Sequence, residues 1–141
     1  MPPIDEFKCK KCDFSLPRGW GGYMYVLNEE GERLVCPHPA EYSKIKQVLC
    51  HIPTEEEIEE KTGFNSYCVC LDCLAQFELD LGNKETANLW RKNYSAQTSR
   101  DERECPKCHS TNVKTEYEMI GEPCPQCKRG KIKKIKTGIM S

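Results

Sequence analysis

Alternating apolar and polar positions predict several short strands. Residues 113–120 and 76–81 both alternate as half-buried strands do. Residues 21–27 and 32–36 flank a loop that contains Gly31, a pattern typical of a β-hairpin. Near the end of the chain, apolar residues recur within a lysine-rich segment, which predicts one more strand. These apolar residues are Ile132, Ile135 and Ile139.

A helical spacing of apolar residues predicts short helices between the strands. Within residues 39–50, one helical face carries Tyr42, Ile45, Val48 and Leu49. Thr54 and Glu57 have the spacing of a capping box, so a second helix is expected from Glu55 to Lys61.

Further along, Asn83 can cap a third helix running to about Tyr94. Residues 95–103 are polar and without periodicity, as expected of a linker.

Composition limits how much of this chain a hydrophobic core can stabilise. Only 38% of the 141 residues are hydrophobic and 30% are charged, but 11 are cysteines. No apolar run approaches the roughly 18 residues of a membrane helix, and the first residues lack the apolar segment of a secretory signal. We therefore expect a cytoplasmic protein with no membrane partner, in which thiols bind metal rather than form disulfides.

Eight of the cysteines form four Cys-x-x-Cys pairs. Two cysteines at this spacing can direct both sulfurs at one point, and two such pairs supply the four thiolates of a tetrahedral Zn²⁺ site. The sequence therefore predicts two zinc ions per chain, although the same ligands also accept iron. The predicted ligands are Cys9, Cys12, Cys70, Cys73, Cys105, Cys108, Cys124 and Cys127.

The last two pairs suggest one compact site. Cys105-Pro-Lys-Cys108 and Cys124-Pro-Gln-Cys127 are separated by a predicted strand and a turn at Gly121. Residues 104–136 resemble the zinc ribbons of transcription and translation proteins, and the Cys-Pro-x-Cys knuckles are similar to those of rubredoxin. The resemblance implies that these four cysteines share one metal. It does not extend to transcript cleavage, because the hairpin tip at residues 120–122 has a single acid.

The first two pairs leave alternatives open. Cys9/Cys12 can share a metal with Cys70/Cys73 across a long insertion of residues 13–67. Alternatively, the hairpin at residues 21–36 brings Cys36 and His38 back to Cys9/Cys12. Cys70/Cys73 would then need Cys50, His51 or Cys68, or would pair with Cys105/Cys108.

The remaining thiols and histidines allow a third site or none. One interpretation joins Cys36, His38, Cys50 and His51 in a mixed Cys/His site, the basis of a metalloenzyme. The other interpretation, which the sequence favours, makes Cys36, Cys50 and Cys68 small buried apolar residues. No zinc-protease, deaminase or phosphate-loop motif is present, so no catalytic residue and no small-molecule substrate is predicted.

Charge points to the C-terminal end as a contact surface. Residues 105–141 have eight basic and three acidic side chains, whereas the whole chain has a net charge of −1. The basic tail suits RNA or DNA, and a larger protein assembly is the alternative partner.

Together these features predict a small metal-dominated α+β fold with zinc-ribbon β-hairpins and two or three short helices in an insertion. The predicted organisation is an N-terminal zinc-binding module (1–94), a linker (95–103) and a C-terminal zinc ribbon with a basic tail (104–141). The expected function is that of a structural, non-catalytic binding module. A rubredoxin-like iron redox protein and a metalloenzyme are the alternatives.

Overall fold

The computed structural model describes residues 3–19, 21–37, 40–81 and 100–140. These residues form eight strands and three helices, which confirms the α+β class. The strands are β1 (Pro3–Cys9), β2 (Ser15–Gly19), β3 (Gly22–Leu27), β4 (Arg33–Val35), β5 (Thr62–Cys70), β6 (Gln76–Leu79), β7 (Val113–Thr115) and β8 (Ile132–Met140). The helices are α1 (Glu41–Leu49), α2 (Glu55–Lys61) and α3 (Glu116–Met119). None of the helices in the described ranges has the length and apolar character needed to cross a membrane.

The chain divides into two compact units. The first unit comprises Met1–Gly21, Ser66–Leu79 and Glu102–Ser141, and the second comprises Gly22–Asn65 and Asp80–Asp101. The chain thus leaves the first unit after β2 and returns to it within β5. The predicted third helix and most of the predicted linker fall on residues 82–99, outside the described residues, so they stay predictions.

The first unit is built on an antiparallel sheet that joins the two ends of the chain. Its strand order is β2-β1-β8, and β8 pairs with β1 over most of its length. In the same unit, the second half of β5 pairs with β6 and with β7. Phe7, Phe14, Val69 and Met119 belong to its apolar core.

The predicted strand over residues 113–120 is wrong beyond Thr115. There the chain turns into α3, because the Thr115 hydroxyl accepts from the Glu118 N–H and the Glu118 carboxylate accepts from the Thr115 N–H. This capping box starts a helix that buries Met119 in the core. Alternation of apolar residues did not separate this single helical turn from a continuing strand.

The second unit confirms the predicted hairpin and two of the predicted helices. Strands β3 and β4 pair antiparallel, and β3 also lies beside β5. Ile45 of α1 and Ile58 of α2 are buried, and α2 begins at the expected capping box on Thr54.

A polar network centred on a buried tyrosine stabilises this unit. The Tyr25 hydroxyl donates to the Asp80 carboxylate at 2.5 Å, and the Arg100 guanidinium donates to the same hydroxyl at 2.8 Å. Gly63 lies so close that a Cβ there would be 2.3 Å from the Tyr25 hydroxyl oxygen. Only glycine therefore fits beside this network.

Candidate metal centres

The eight paired cysteines come together in two groups of four, both within the first unit. Centre 1 contains Cys9, Cys12, Cys124 and Cys127, and centre 2 contains Cys70, Cys73, Cys105 and Cys108. In each group all four sulfurs lie within 4.8 Å of one another. Each group can hold one metal ion, which agrees with two metals per chain.

The favoured pairing of the knuckles is wrong, whereas the alternative that joins Cys70/Cys73 to Cys105/Cys108 is confirmed. The ribbon-like set of Cys105/Cys108 with Cys124/Cys127 is split between the two centres, and so is the set of Cys9/Cys12 with Cys70/Cys73. Pairing of β8 with β1 places Ile132 opposite Cys9, which brings the last knuckle to the first. Strand β7 pairs with β5, with Val113 opposite Cys70, and this brings the third knuckle to the second.

The sulfur spacing fits a tetrahedral metal site better than disulfides. Between the two knuckles of a centre, the Sγ–Sγ distances are 3.7 Å in centre 1 and 3.5 and 3.6 Å in centre 2. Four thiolates bound tetrahedrally at about 2.3 Å from Zn²⁺ have their sulfurs about 3.8 Å apart, whereas a disulfide needs about 2.05 Å. None of the eleven cysteines forms a disulfide.

Three of the four knuckles share one turn geometry. The fourth residue after the first cysteine has a positive φ: 65° at Leu74, 64° at His109 and 60° at Lys128. Its N–H donates to the carbonyl of that first cysteine, as from Lys128 to Cys124 at 2.9 Å. The left-handed residue reverses the chain directly after the second cysteine, so that both sulfurs point to one side.

Backbone N–H groups favour the thiolate form at one cysteine of each centre. At Cys127 the N–H groups of Gly130 and Arg129 lower the thiol pKa to about 6. At Cys105 burial raises the pKa, but the N–H groups of Cys108 and Lys107 outweigh it and bring the pKa to about 6. Metal ligands are thiolates, and N–H···S bonds of this kind stabilise them.

Polar contacts outside the sulfurs join the two knuckles of each centre. In centre 1 the Gln126 side-chain amide donates to the Asp13 carboxylate at 3.2 Å. In centre 2 the Asp72 carboxylate accepts from the Ser110 hydroxyl and, at 3.3 Å, from the Asn112 side-chain amide. Such second contacts orient ligands before a metal binds.

Close packing also joins the knuckles of centre 1. A Cβ on Gly130 would be 2.7 Å from the Cys9 sulfur and 2.6 Å from Cγ of Lys11. Because real side chains do not approach so closely, the fourth knuckle can lie against the first only with glycine at this position.

The thiols outside the pairs lie apart from both centres. Cys36 and Cys68 are buried, and burial raises the pKa of each thiol to about 12, so both behave as small apolar residues, as predicted. Cys50 is exposed, contrary to the prediction of a buried residue, and the neighbouring His51 bonds to Glu57 at 2.6 Å.

The alternative ligand sets for the first knuckle find no support in the described part of the chain. Cys36 packs with Met24 and Ile45 in the second unit rather than with Cys9/Cys12. His38 lies outside the described residues. Among those described, no third set of three or more Cys, His, Asp or Glu side chains comes together.

Comparison with family models, with curated proteins and with solved structures gives no match for this chain. Its function must therefore be argued from the two centres and the surfaces around them.

Proposed function

We propose that this chain is a non-catalytic binding module in which Zn²⁺ ions at centres 1 and 2 stabilise the first unit, and that it binds nucleic acid beside centre 1. Four thiolates fill a tetrahedral Zn²⁺ site and leave no position for water or substrate, which supports a structural role. Structural zinc contributes on the order of 10–16 kcal/mol per site at neutral pH, enough to replace a large hydrophobic core.

The observation that carries the nucleic-acid proposal is the pairing of the first knuckle with the last. This pairing brings basic residues from both ends of the chain to the same sheet and the same centre, and Lys8 lies opposite Lys133. The basic side chains near centre 1 are all exposed. Within the described part of the chain, Lys8 is the one among them that forms an ion pair, and its partner is Glu6. Lys8 and Lys133 lie on one face of this sheet and Lys134 and Lys136 on the other, so the basic residues surround the edge formed by β8. We call this set the basic surface: Lys8, Lys10, Lys11, Lys128, Arg129, Lys131, Lys133, Lys134 and Lys136.

The local charge stays positive after the metal is included. The chain segments around centre 1, residues 3–19 and 120–140, have ten basic and four acidic side chains, a net charge of +6. A four-thiolate zinc site adds a formal charge of about −2. The surface therefore keeps a clear excess of positive charge, as phosphate binding requires.

Salt dependence of binding tests the proposal. The probe is a fluorescein-labelled uridine decamer, titrated by fluorescence anisotropy with the zinc-loaded full chain between 50 and 200 mM salt. Each phosphate contact on a single strand adds about 0.7 to the slope of log affinity against log salt concentration. The triple variant Lys133→Gln, Lys134→Gln, Lys136→Gln should weaken binding and reduce that slope by about 2.

A matched control removes the same number of charges elsewhere. Lys44, Lys46 and Lys61 lie on the helices of the second unit, and their replacement by glutamine should leave the slope unchanged. If the intact protein does not bind the decamer at 50 mM salt, the nucleic-acid function is wrong and a protein assembly becomes the partner to pursue.

Electron transfer by thiolate-bound iron is the second candidate function, because both centres have ligands that bind iron as well as zinc. Each centre contains one Cys-Pro-x-Cys knuckle, and knuckles of this kind are similar to those of rubredoxin. Iron–thiolate sites absorb visible light and zinc sites do not. A colourless protein purified without oxygen, with two zinc ions per chain by elemental analysis, excludes the electron-transfer function.

A further inference from the structure

The strongest unassigned feature is an apolar pocket of about 320 Å³ in the first unit. Its walls come from the knuckles of both centres, through Leu71 of the second knuckle and Pro125 of the fourth. Met119, Pro123 and Cys124, the last a ligand of centre 1, complete the apolar lining, and Lys114, Glu122 and Lys128 supply charged groups. Its volume lies at the small end of the range for ligand pockets, about 300–1,000 Å³.

The pocket walls are fixed by backbone hydrogen bonds. The Leu71 N–H donates to the Asn112 carbonyl, and the Glu122 N–H to the Met119 carbonyl, both at 2.9 Å. Met119 is only 1% exposed, at the end of the capped helix α3. A ligand would therefore meet a preformed cavity and would not have to order its walls.

The charged groups of the pocket offer both an acceptor and a donor. The Lys114 ammonium lies 3.6 Å from the Glu122 carboxylate, and these side chains are 36% and 45% exposed. Lys128 is exposed, forms no ion pair among the described residues, and belongs to the basic surface. In the Lys114–Glu122 pair the carboxylate needs N–H donors and the ammonium needs an acceptor, so the pair favours a neutral ligand group that carries both side by side.

Guanine is the nucleobase that matches this pattern. Its Watson–Crick edge presents two adjacent donors, N1–H and the N2 amine, beside the O6 acceptor. A carboxylate can accept from both donors while an ammonium donates to O6. Adenine and cytosine place a ring nitrogen acceptor next to their amine, and uracil flanks its single donor with two carbonyls.

We propose that this pocket takes one guanine base of a single strand whose phosphates lie on the basic surface. Glu122 accepts from N1–H and N2–H, Lys114 donates to O6, and Leu71, Pro123 and Pro125 contact the ring faces, with Met119 buried behind them. Lys128 then contacts a neighbouring phosphate. This inference rests on the proposed nucleic-acid function, and it names the base that the strand must supply.

The test compares decamers that differ in one base. The probes are ten uridines, nine uridines with a central guanosine, and nine uridines with a central inosine, which lacks the N2 amine. With the zinc-loaded full chain, the guanosine probe should bind on the order of tenfold more tightly than the uridine probe. The inosine probe should fall between them.

Two variants with matched chemistry assign the preference to the pocket. Glu122→Gln should bring the ratio of the two affinities close to one, because an amide cannot accept from both donors. Glu104→Gln removes a comparably exposed carboxylate outside the pocket and should keep the full ratio. Elemental analysis and circular dichroism should show two zinc ions and an unchanged fold in each variant.

The outcomes separate this inference from the proposed function. Equal affinity of the intact protein for the uridine and guanosine probes overturns the guanine pocket and leaves the basic surface as a nucleic-acid site. No binding of any decamer overturns both. If guanosine monophosphate alone binds as tightly as the guanosine probe, the guanine pocket is supported and its ligand is a free nucleotide.

Discussion

Centres 1 and 2 are built from the same kind of knuckle, but they lie in opposite electrostatic surroundings. The segments around centre 1 have a net charge of +6, whereas those around centre 2, residues 66–79 and 102–119, have three basic and six acidic side chains. The formal charge of a thiolate-bound metal is therefore offset at centre 1 and reinforced at centre 2. Positive side chains near thiolates favour the metal-bound state, and they outnumber the acidic side chains at centre 1 but not at centre 2.

The two centres also differ in how they join the rest of the unit. All four cysteines of centre 1 belong to the apolar core or pack against it, and its sulfurs join residues 118 positions apart. Centre 2 joins residues 38 positions apart, and its Cys108 is exposed. Centre 1 thus connects the two ends of the first unit, and centre 2 connects neighbouring segments on a more open surface.

Removing ligands in pairs should have the largest effect and tests which cysteines share a metal. The double variant Cys73→Ser, Cys108→Ser should retain one zinc ion, because both residues belong to centre 2. The double variant Cys108→Ser, Cys127→Ser should lose both ions and on the order of 10 kcal/mol of stability or more. Elemental analysis and thermal unfolding measure both effects, and the opposite result would restore the pairing expected from the sequence.

A buried acid in the first unit should give the next largest effect. Glu116 is fully buried, neither carboxylate oxygen has a hydrogen-bond partner among the described residues, and burial raises its pKa to about 9. The folded state keeps the proton that the unfolded chain releases above its ordinary pKa of about 4.3. Glu116 should therefore reduce stability progressively as the pH rises from about 4.3 to about 9.

The Glu116→Gln variant should remove this penalty. At pH 8 we expect it to be more stable than the parent by about 5 kcal/mol, because the difference grows by about 1.4 kcal/mol per pH unit above about pH 4.3. Urea unfolding of the zinc-saturated proteins at pH 7 and pH 8 measures both quantities. A difference that does not change with pH would mean that Glu116 is already ionised in the folded protein.

Gly130→Ala should weaken centre 1 selectively. The new Cβ would meet the Cys9 sulfur and Lys11, so one ligand or the fourth knuckle must move, at a cost of about 1–3 kcal/mol. Gly31→Ala is the control, because Gly31 lies in the second unit and has no atom within 4 Å of an added Cβ, so the strain that its positive φ imposes on alanine stays away from both centres. Zinc transfer to a coloured chelator should become faster for one of two ions in Gly130→Ala and for neither ion in the control.

The smallest effects should come from the polar contacts between knuckles. Gln126→Ala removes a hydrogen bond at centre 1, and Asn112→Ala removes one at centre 2. Each should cost about 0.5–1.5 kcal/mol and should speed zinc release from its own centre. Combining either variant with the loss of the other centre shows which ion has changed, and equal effects on both ions would contradict the assignment.

The cysteine knuckles could be predicted from the sequence because each depends on residues only a few positions apart. The capping box of α2 and the hairpin of β3 and β4 were equally local and were confirmed. Which two knuckles share a metal ion depends on residues far apart in the sequence. This sharing depends on β8 pairing with β1 across most of the chain, and the apolar residues of β8 could not identify that partner.

Gly130 is a local feature that accompanies the pairing of the first and fourth knuckles, but the sequence alone does not show its role. A glycine shortly after a Cys-x-x-Cys pair is ordinarily a turn residue, whereas here it permits the close approach of Cys9. Likewise, the basic tail could be predicted from the sequence, but only the fold shows that it lies near Lys8, Lys10 and Lys11.

The joining of the first and last knuckles imposes an order on metal loading during synthesis. All four ligands of centre 2 have left the ribosome once Cys108 has emerged, so this centre can take its ion while the chain is still growing. Cys9 and Cys12 emerge first of all but must remain without their partners until Cys127 has been made. Over that interval they are the two thiols most in need of protection from oxidation and from the wrong metal.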